Sequence, residues 1–435
     1  MKRRIRPLIP PAAVVLLAIA LYQLSAAPQS DFSSILLFGT LAFAGFFTLL
    51  VYRAAFHAPF IIALAAIIRI ASGIYAPQLS DDYFRFWWDG KLIAQGENPF
   101  LTTPQEYAAS NTLTEEMRTA LEKMNSPAYH TVYPPMCQYT WAAAHSLGGS
   151  FPTWIILLRG IHILFDIGSV ILIISLLRKW NLPEGWSITY AFNPLVILEG
   201  TANLHPEVLM VFFILLFIAS VGITRWSRAG IALGAAIATK LLPALALPFL
   251  VRWIGWRQTL IVGGFAGLTF VALFLPFIDA ELISHIASSL DLYFRSFEFN
   301  ASIYAVCREI GIAIKGYNPI HWIGPLLAVL AGAIMLTLAF RHRPQRWIGA
   351  WLTAWGVYFF LSTTVHPWYV IPLVALATLT QSRWAVVWSF TALFSYVHYS
   401  GYADTSWWLI AEYAVVFGVF VTEIMKSDSE LRKTT

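Results

Sequence analysis

Residues 34–53 read SILLFGTLAFAGFFTLLVYR, with no charge before the closing Arg53. A helix rises about 1.5 Å per residue, so a run of about 20 apolar residues spans the hydrocarbon layer of a bilayer. Comparable runs occupy residues 8–25, 59–76, 153–177, 258–278, 319–340 and 406–424, with shorter or broken runs between them. Of the 435 residues 58% are hydrophobic and 12% charged, against about 25% charged in soluble domains. Mean hydropathy is +0.66. Unpaired backbone is not tolerated against lipid, and the alternation of barrel strands is absent, so the spans are helices. The expected fold is all-α, a polytopic membrane protein of about 12–14 helices on the length criterion. It reads as one integral membrane domain over 1–435, with two extra helices in 1–58, an external loop at 77–134 and the remaining membrane helices in 135–425.

Net charge is +5, but Lys and Arg sit in short clusters at helix ends, a pattern that sets orientation and not nucleic-acid binding. The opening MKRRIRPLIPPAAVVLLAIALYQLSAAP reads as a first anchor, because its apolar run is long for a cleaved leader and further spans follow. Lys2, Arg3, Arg4 and Arg6 place the N-terminus in the cytoplasm, as Lys426, Arg432 and Lys433 place the C-terminus and Arg341, Arg343 and Arg346 their loop. Three helices on, the residues after Ala76 emerge on the far side. Counting every run from 136 to 278 as a full crossing would put Arg178 and Lys179 outside. A partial span at 136–149 and a break of 229–250 at TKLLP, where Pro243 removes a backbone donor, restore the charge rule. That arrangement also puts NLHPE, 203–207, on the external side.

Cys137 and Cys307 have no metal-like spacing and read as packing residues. Nucleotide-cradling and zinc-peptidase signatures are absent from the sequence. Polarity concentrates in 77–134, where eight acids face four bases, a net of −4 in a positive protein. Within it TLTEEMRTALEKM, 112–124, offers Thr112 and Glu115 as a capping box and Leu113, Met117, Leu121 and Met124 as a stripe. The spacing predicts an amphipathic helix at the membrane surface that stops near Asn125, ahead of Pro127.

The stretch QLSDDYFRFWWDG, 78–90, follows the third apolar run. Ser80 or Asp81 suits a helix N-cap, and Arg85 and Asp89 are spaced to pair. Phe84, Trp87 and Trp88 suit an interface belt. The Asp81–Asp82 couple is left to act as a general base or to hold a cation. Polar groups also recur in the apolar remainder, where each is costly and marks a candidate site. They are Tyr133 and Gln138 in TVYPPMCQYT; Asn193, Glu199, Asn203, His205 and Glu207 in NPLVILEGTANLHPE; Lys240 in ATKLLP; Glu298, Asn300, Ser302 and Tyr304 in FEFNASIY; and His366, Trp368 and Tyr369 in VHPWYVIP.

The order SDDYFRFWWDGKLIAQGENPF, NSPAYHTVYPPMCQ, NPLVILEGTANLHPEVLM, ATKLLPALALPF, FEFNASIY, VHPWYVIPL, spread over residues 60–400, resembles the type-C integral membrane glycosyltransferases of the polyprenyl-phosphate mannosyltransferase kind, which include GPI mannosyltransferases and glycosyltransferase family 87. The resemblance implies an inverting hexosyltransferase that takes a sugar, mannose or another hexose or pentose, from a polyprenyl-phosphate carrier. The acceptor would be lipid-linked or a glycan, and the site would face the periplasmic side of a bacterial inner membrane. It carries the catalytic aspartate onto Asp82, with Asp81 beside it. Where relatives commonly read His-Asn-Asp, this chain has His205-Pro206-Glu207.

Chemistry adds that sugar transfer needs a base for the acceptor hydroxyl and cationic donors for the leaving phosphate. Arg85, Lys240, Arg295 and His366 are the candidates for the second task, and Trp87, Trp88 and Trp368 for lining sugar and isoprenoid. Asp89, Tyr133, Gln138, Asn203, His205, Glu207, Asn300 and Tyr369 complete the expected substrate-binding set. No cofactor is fixed by the sequence; a divalent cation on Asp81 and Asp82 stays open. A single acting carboxylate with a phosphate leaving group fits inversion, since retention normally uses a second carboxylate as nucleophile. The alternatives are a transporter or lipid flippase, whose mark would be two matched halves with broken helices, and a membrane scaffold. The expected partners are the lipid-phosphate sugar donor, the acceptor and membrane lipids, with no nucleic acid.

Overall fold

The computed structural model describes residues 8–295 and 297–432, without the side chains of 290, 292–295 and 427–432. The orienting cations Lys2, Arg3, Arg4, Arg6 and Lys433 therefore lie outside the described residues, as do the side chains of Arg295 and Arg432. The chain is helical throughout: among the described residues no strand forms, and one isolated bridge joins Phe299 to Thr364. We label the main helices α1 (Ile9–Ala26), α2 (Phe32–Val51), α3 (Ala58–Ser72), α4 (Asp82–Ala94), α5 (Pro104–Ser110), α6 (Glu115–Lys123), α7 (Pro135–Leu147), α8 (Phe151–Lys179), α9 (Glu207–Val221), α10 (Trp226–Ile237), α11 (Leu247–Ile254), α12 (Trp256–Phe274), α13 (Leu282–Arg295), α14 (Ile303–Lys315), α15 (Ile320–Arg341), α16 (Trp347–Leu361), α17 (Ile371–Thr380), α18 (Trp384–Thr391) and α19 (Ser406–Arg432).

Six of these are long and apolar enough to cross a membrane: α1, α2, α8, α12, α15 and α19. The protein is an integral membrane protein. Shorter apolar helices fill the remaining runs, including α3 and the stretches Leu242–Ile254 and Pro367–Thr380. Breaks explain the difference from uninterrupted spans. A π-helical turn, Val196–Ala202, meets α9 at 112°. At that bend Leu204 adopts φ +64°, and the amides of Asn203 and His205 return to Leu198 O (2.9 Å) and Glu199 O (3.0 Å), which keeps the bent backbone satisfied. The expected break at TKLLP is present too: α10 stops at Ile237, and a 3₁₀ turn over Leu242–Ala246 leads into α11.

Helix starts are capped locally, and buried polar links join helices alongside apolar packing. Asp31 accepts from Ser34 N at the start of α2, and Ser150 from Thr153 N at the start of α8. Arg69 of α3 and Asp166 of α8, both fully buried, pair at 2.6 Å, and Arg69 also donates to Ala191 O at 2.8 Å. This link ties α3, α8 and the 188–191 turn together. Losing either partner would leave an uncompensated buried charge.

The polar loop is folded onto the protein. Phe84, Trp87 and Trp88 are at most 6% exposed and pack with Met117, Met124, Trp141 and Trp154, so the expected interface belt is instead a second core. The helix at 115–123 lays Met117 and Ala120 into that core rather than onto lipid. Its cap is Thr114, accepting from Met117 N, and not Thr112; the capping box belongs to Thr103 and Glu106 at the start of α5. Within this core α4 and α7 approach closely at Gly90, where an added Cβ would come within 2.8 Å of Trp141.

Candidate functional site

Asp82 opens α4, where Ser80 Oγ accepts its amide at 3.2 Å. Its two carboxylate oxygens are met by different donors: Asn125 Nδ2 reaches Oδ1 at 2.9 Å and the Tyr133 hydroxyl reaches Oδ2 at 3.2 Å. Burial pushes the Asp82 carboxyl above its ordinary range, and these two bonds and the Lys240 charge pull in the opposite direction. Asp81 is exposed beside it and has no side-chain capping bond.

A buried chain of polar groups holds the 125–134 segment over Asp82. Arg85 pairs with Asp89 at 2.8 Å, as the four-residue spacing anticipates. The same guanidinium donates to Ser126 O (3.1 Å) and Tyr129 O (2.8 Å). Gln138 of α7 bonds Asp89 Oδ2, Thr131 Oγ1 and Tyr133 O at 3.1–3.2 Å. Arg85, Asp89 and Gln138 are thus bound to one another and to the loop. Arg85 is 3% exposed, which takes it out of the set of cations free to meet a leaving group.

Backbone pairing then brings a second segment alongside. Met136 N donates to Ala238 O at 2.9 Å, and Cys137 lies on Thr239 O. This seats Lys240 in the same cavity as Asp82. Lys240 Nζ is 2.6 Å from Glu207 Oε1 and 3.5 Å from the Tyr369 ring centre. Glu207 starts α9 at the 112° bend, and His205 of the same bend stacks on Trp368 at 3.7 Å. His366 stacks on the other neighbour, Trp368 at 4.4 Å and Phe299 at 4.5 Å.

The cavity, of about 530 Å³, is lined by Asp82, Tyr133, His205, Glu207, Lys240, Trp368 and Tyr369, and by apolar side chains of α15, α16 and the 242–246 turn. Gly324, Ala328, Ala331, Gly332 and Met335 give its α15 wall. That wall runs about 16 Å along the helix. Seven expected residues therefore share one cavity. The others are elsewhere: Asn203 accepts the amides of Gln78 and Leu79 (3.3 and 3.2 Å), holding the segment ahead of Asp81, and Asn300 pairs with Glu412 at 3.1 Å. His366 stacks on Trp368 and does not line the cavity, and Trp87 and Trp88 are in the second core.

Asn125 is the residue that sequence reasoning missed, having been read only as the end of a helix. Arg69, Asp166 and Tyr396, whose hydroxyl donates to the expected Glu199, were missed as well. For Arg69 and Asp166 the signal was available, because each is an ionisable residue in an apolar run. No group of three or more His, Cys, Asp or Glu side chains placed to hold a metal occurs among the described residues.

No curated protein matches the sequence. Residues 29–255 match the MptA_B family, described as alpha-(1->6)-mannopyranosyltransferase, N-terminal domain. The match includes Asp82, Asn125, Tyr133, His205, Glu207 and Lys240, while the α15 and α16 walls of the cavity lie beyond it. Since it takes in just over half of the chain, this helical membrane protein belongs to the MptA_B family and is a glycosyltransferase of the mannosyltransferase kind.

Proposed function

We propose that the protein transfers mannose from a polyprenyl-phosphate carrier to a lipid-linked or glycan acceptor, with inversion, on the external face of a bacterial plasma membrane. The observation that carries this reading is the Asp82 carboxylate, set in a cavity that joins a few polar groups to a long apolar wall. A soluble nucleotide sugar has no use for such a wall. An isoprenoid does, because burying it along Gly324–Met335 removes apolar surface from water or lipid headgroups.

In the proposed reaction an acceptor hydroxyl attacks the anomeric carbon while its proton passes to Asp82. The bond from that carbon to the phosphate oxygen breaks, and polyprenyl phosphate leaves with the electron pair. Lys240 lies within the same cavity to meet the charge that grows on phosphate. The other carboxylate of the cavity, Glu207, is held in an ion pair with Lys240. This leaves Asp82 to act alone and supports a single displacement. His205 and Trp368 present stacked rings to the cavity, a surface suited to a sugar face. External placement rests on the charge rule applied to the loop at 77–134.

The test is transfer by purified protein in lipid nanodiscs. Labelled mannose is offered either on a short-chain polyprenyl phosphate or as a nucleotide sugar, with a mannosylated lipid extract as acceptor. Transfer from the lipid carrier alone, with the new linkage of opposite anomeric configuration by NMR, is the expected result. Transfer from the nucleotide sugar alone overturns the donor, and retained configuration overturns the mechanism.

A further inference from the structure

A second cavity, of about 330 Å³, lies between the end of α2, the 186–189 turn and the junction of α17 with α18. Two helices place it at the opposite end of the bundle from Asp82. Arg53 precedes α3, which leads toward Asp82, and Gln381–Arg383 follow α17, which begins next to Tyr369. These helices, of 15 and 10 residues, correspond to about 22 and 15 Å of rise.

Its lining divides by chemistry. Phe47, Leu50, Val51, Val386 and Val387 are apolar, and Arg53 and Arg383 bring two guanidinium groups. Arg53 lies 3.8 Å above the Trp186 ring and spends one NH on Leu50 O (2.9 Å). Arg383 uses its backbone amide on Glu423 (2.9 Å), as Trp384 does (3.3 Å). Its guanidinium forms no hydrogen bond among the described residues. The second observation is independent of the charges: Thr189 and Ser382, 3% and 8% exposed, also line the cavity, and their buried hydroxyl oxygens have no hydrogen-bond partner among the described residues. Buried hydroxyls are normally satisfied, so two unpartnered hydroxyls on residues that line one cavity point to a polar occupant.

We propose that this cavity holds the phosphodiester headgroup of an anionic glycerophospholipid from the leaflet opposite to Asp82. Two guanidiniums match the phosphate in charge and in forked donor geometry, and the hydroxyls of Thr189 and Ser382 supply further donors. The acyl chains follow Phe47, Leu50 and Val51 along α2. Positively charged helix ends on the cytoplasmic side favour an anionic lipid there.

Delipidated full-length protein is titrated with phosphatidylglycerol, phosphatidylcholine or a short-chain polyprenyl phosphate and followed by native mass spectrometry, with inorganic phosphate as competitor. One phosphatidylglycerol is retained, about tenfold more tightly than phosphatidylcholine, the scale of a charge-assisted hydrogen bond. Retention falls about tenfold in Arg383→Gln, whose side chain is at the surface, and further in R53Q/R383Q. The exposed pair R228Q/R257Q retains lipid as the parent does, which separates this cavity from general basicity. Equal retention in R383Q and R53Q/R383Q, equal binding of phosphatidylcholine, preference for polyprenyl phosphate, or displacement by millimolar inorganic phosphate would each overturn the assignment.

Discussion

The side-chain amide of Asn125 donates to Asp82 Oδ1 at 2.9 Å, joining residues 43 apart in the chain. With the Tyr133 hydroxyl on the other oxygen, it fixes the carboxylate from both sides. One oxygen lone pair must still be available to a proton, and a carboxylate has several.

Replacing Asp82 with Asn keeps the shape and removes the basicity. Transfer is expected to fall by at least about a hundredfold, the low end of general-base contributions, with donor binding retained. Asp81→Asn is expected to cost less, because Asp81 does not line the cavity. Single-turnover transfer rates of the two variants decide this; near-normal turnover in Asp82→Asn would show the base to be elsewhere.

Asp82 must be ionised to accept a proton, so activity is lost as pH falls through its pKa. Burial raises that pKa, which puts the acid limb of the pH–rate profile above the ordinary carboxylate value of about 4. The Asn125 bond lowers it, so Asn125→Ala is expected to move the acid limb to higher pH while the rate above the limb changes less. A limb that stays in place in Asn125→Ala removes Asp82 from the titration.

Lys240→Gln is expected to weaken donor binding or slow transfer by about tenfold to a thousandfold, the range for losing a charge-stabilising donor. It also strands Glu207, which is 2% exposed. The double variant E207Q/K240Q separates these effects: it should recover folding stability but not transfer. His366→Gln should have the smaller effect, since His366 does not line the cavity. Recovery of transfer in the double variant would limit Lys240 to a structural partner of Glu207.

Gly90→Ala is expected to destabilise the protein by about 1–3 kcal/mol, as overpacking does. The added methyl would meet Trp141 backbone and side-chain atoms at 2.8–2.9 Å, pushing α7 away from α4 and with it Gln138 from Asp89. A lower thermal midpoint with reduced transfer is the expected readout; an unchanged midpoint means that the two helices separate at no cost.

Orientation is checked with single cysteines in a Cys307→Ser background, at Gln105 and at Gln345, both exposed. A membrane-impermeant thiol reagent added to intact cells should label position 105 and spare position 345. The reverse pattern would invert the bundle and move Asp82 to the cytoplasmic face.

What the sequence determined is what depends on composition and short spacing. Apolar runs of membrane-crossing length required helices, because lipid offers no partner for backbone groups. Pro243 required a break near Lys240, and the spacing of Arg85 and Asp89 allowed their ion pair. The polar residues of DDY, TVYPP, NLHPE, ATK and HPWY stood out because each is costly in an apolar setting. Their grouping was decided only by tertiary structure. Spacing does not reveal that NLHPE sits at a 112° bend, or that Met136 pairs with Ala238 and so delivers Lys240 to Asp82. Nor does it separate Arg85 and Asn300, which are spent on buried partners, from Lys240, which faces the cavity. Trp87 and Trp88 show the same limit. An amphipathic ring suits a membrane interface and a protein core equally, and the choice fell to the neighbours, Met117 and Trp154 among them, that the folded loop packs around them.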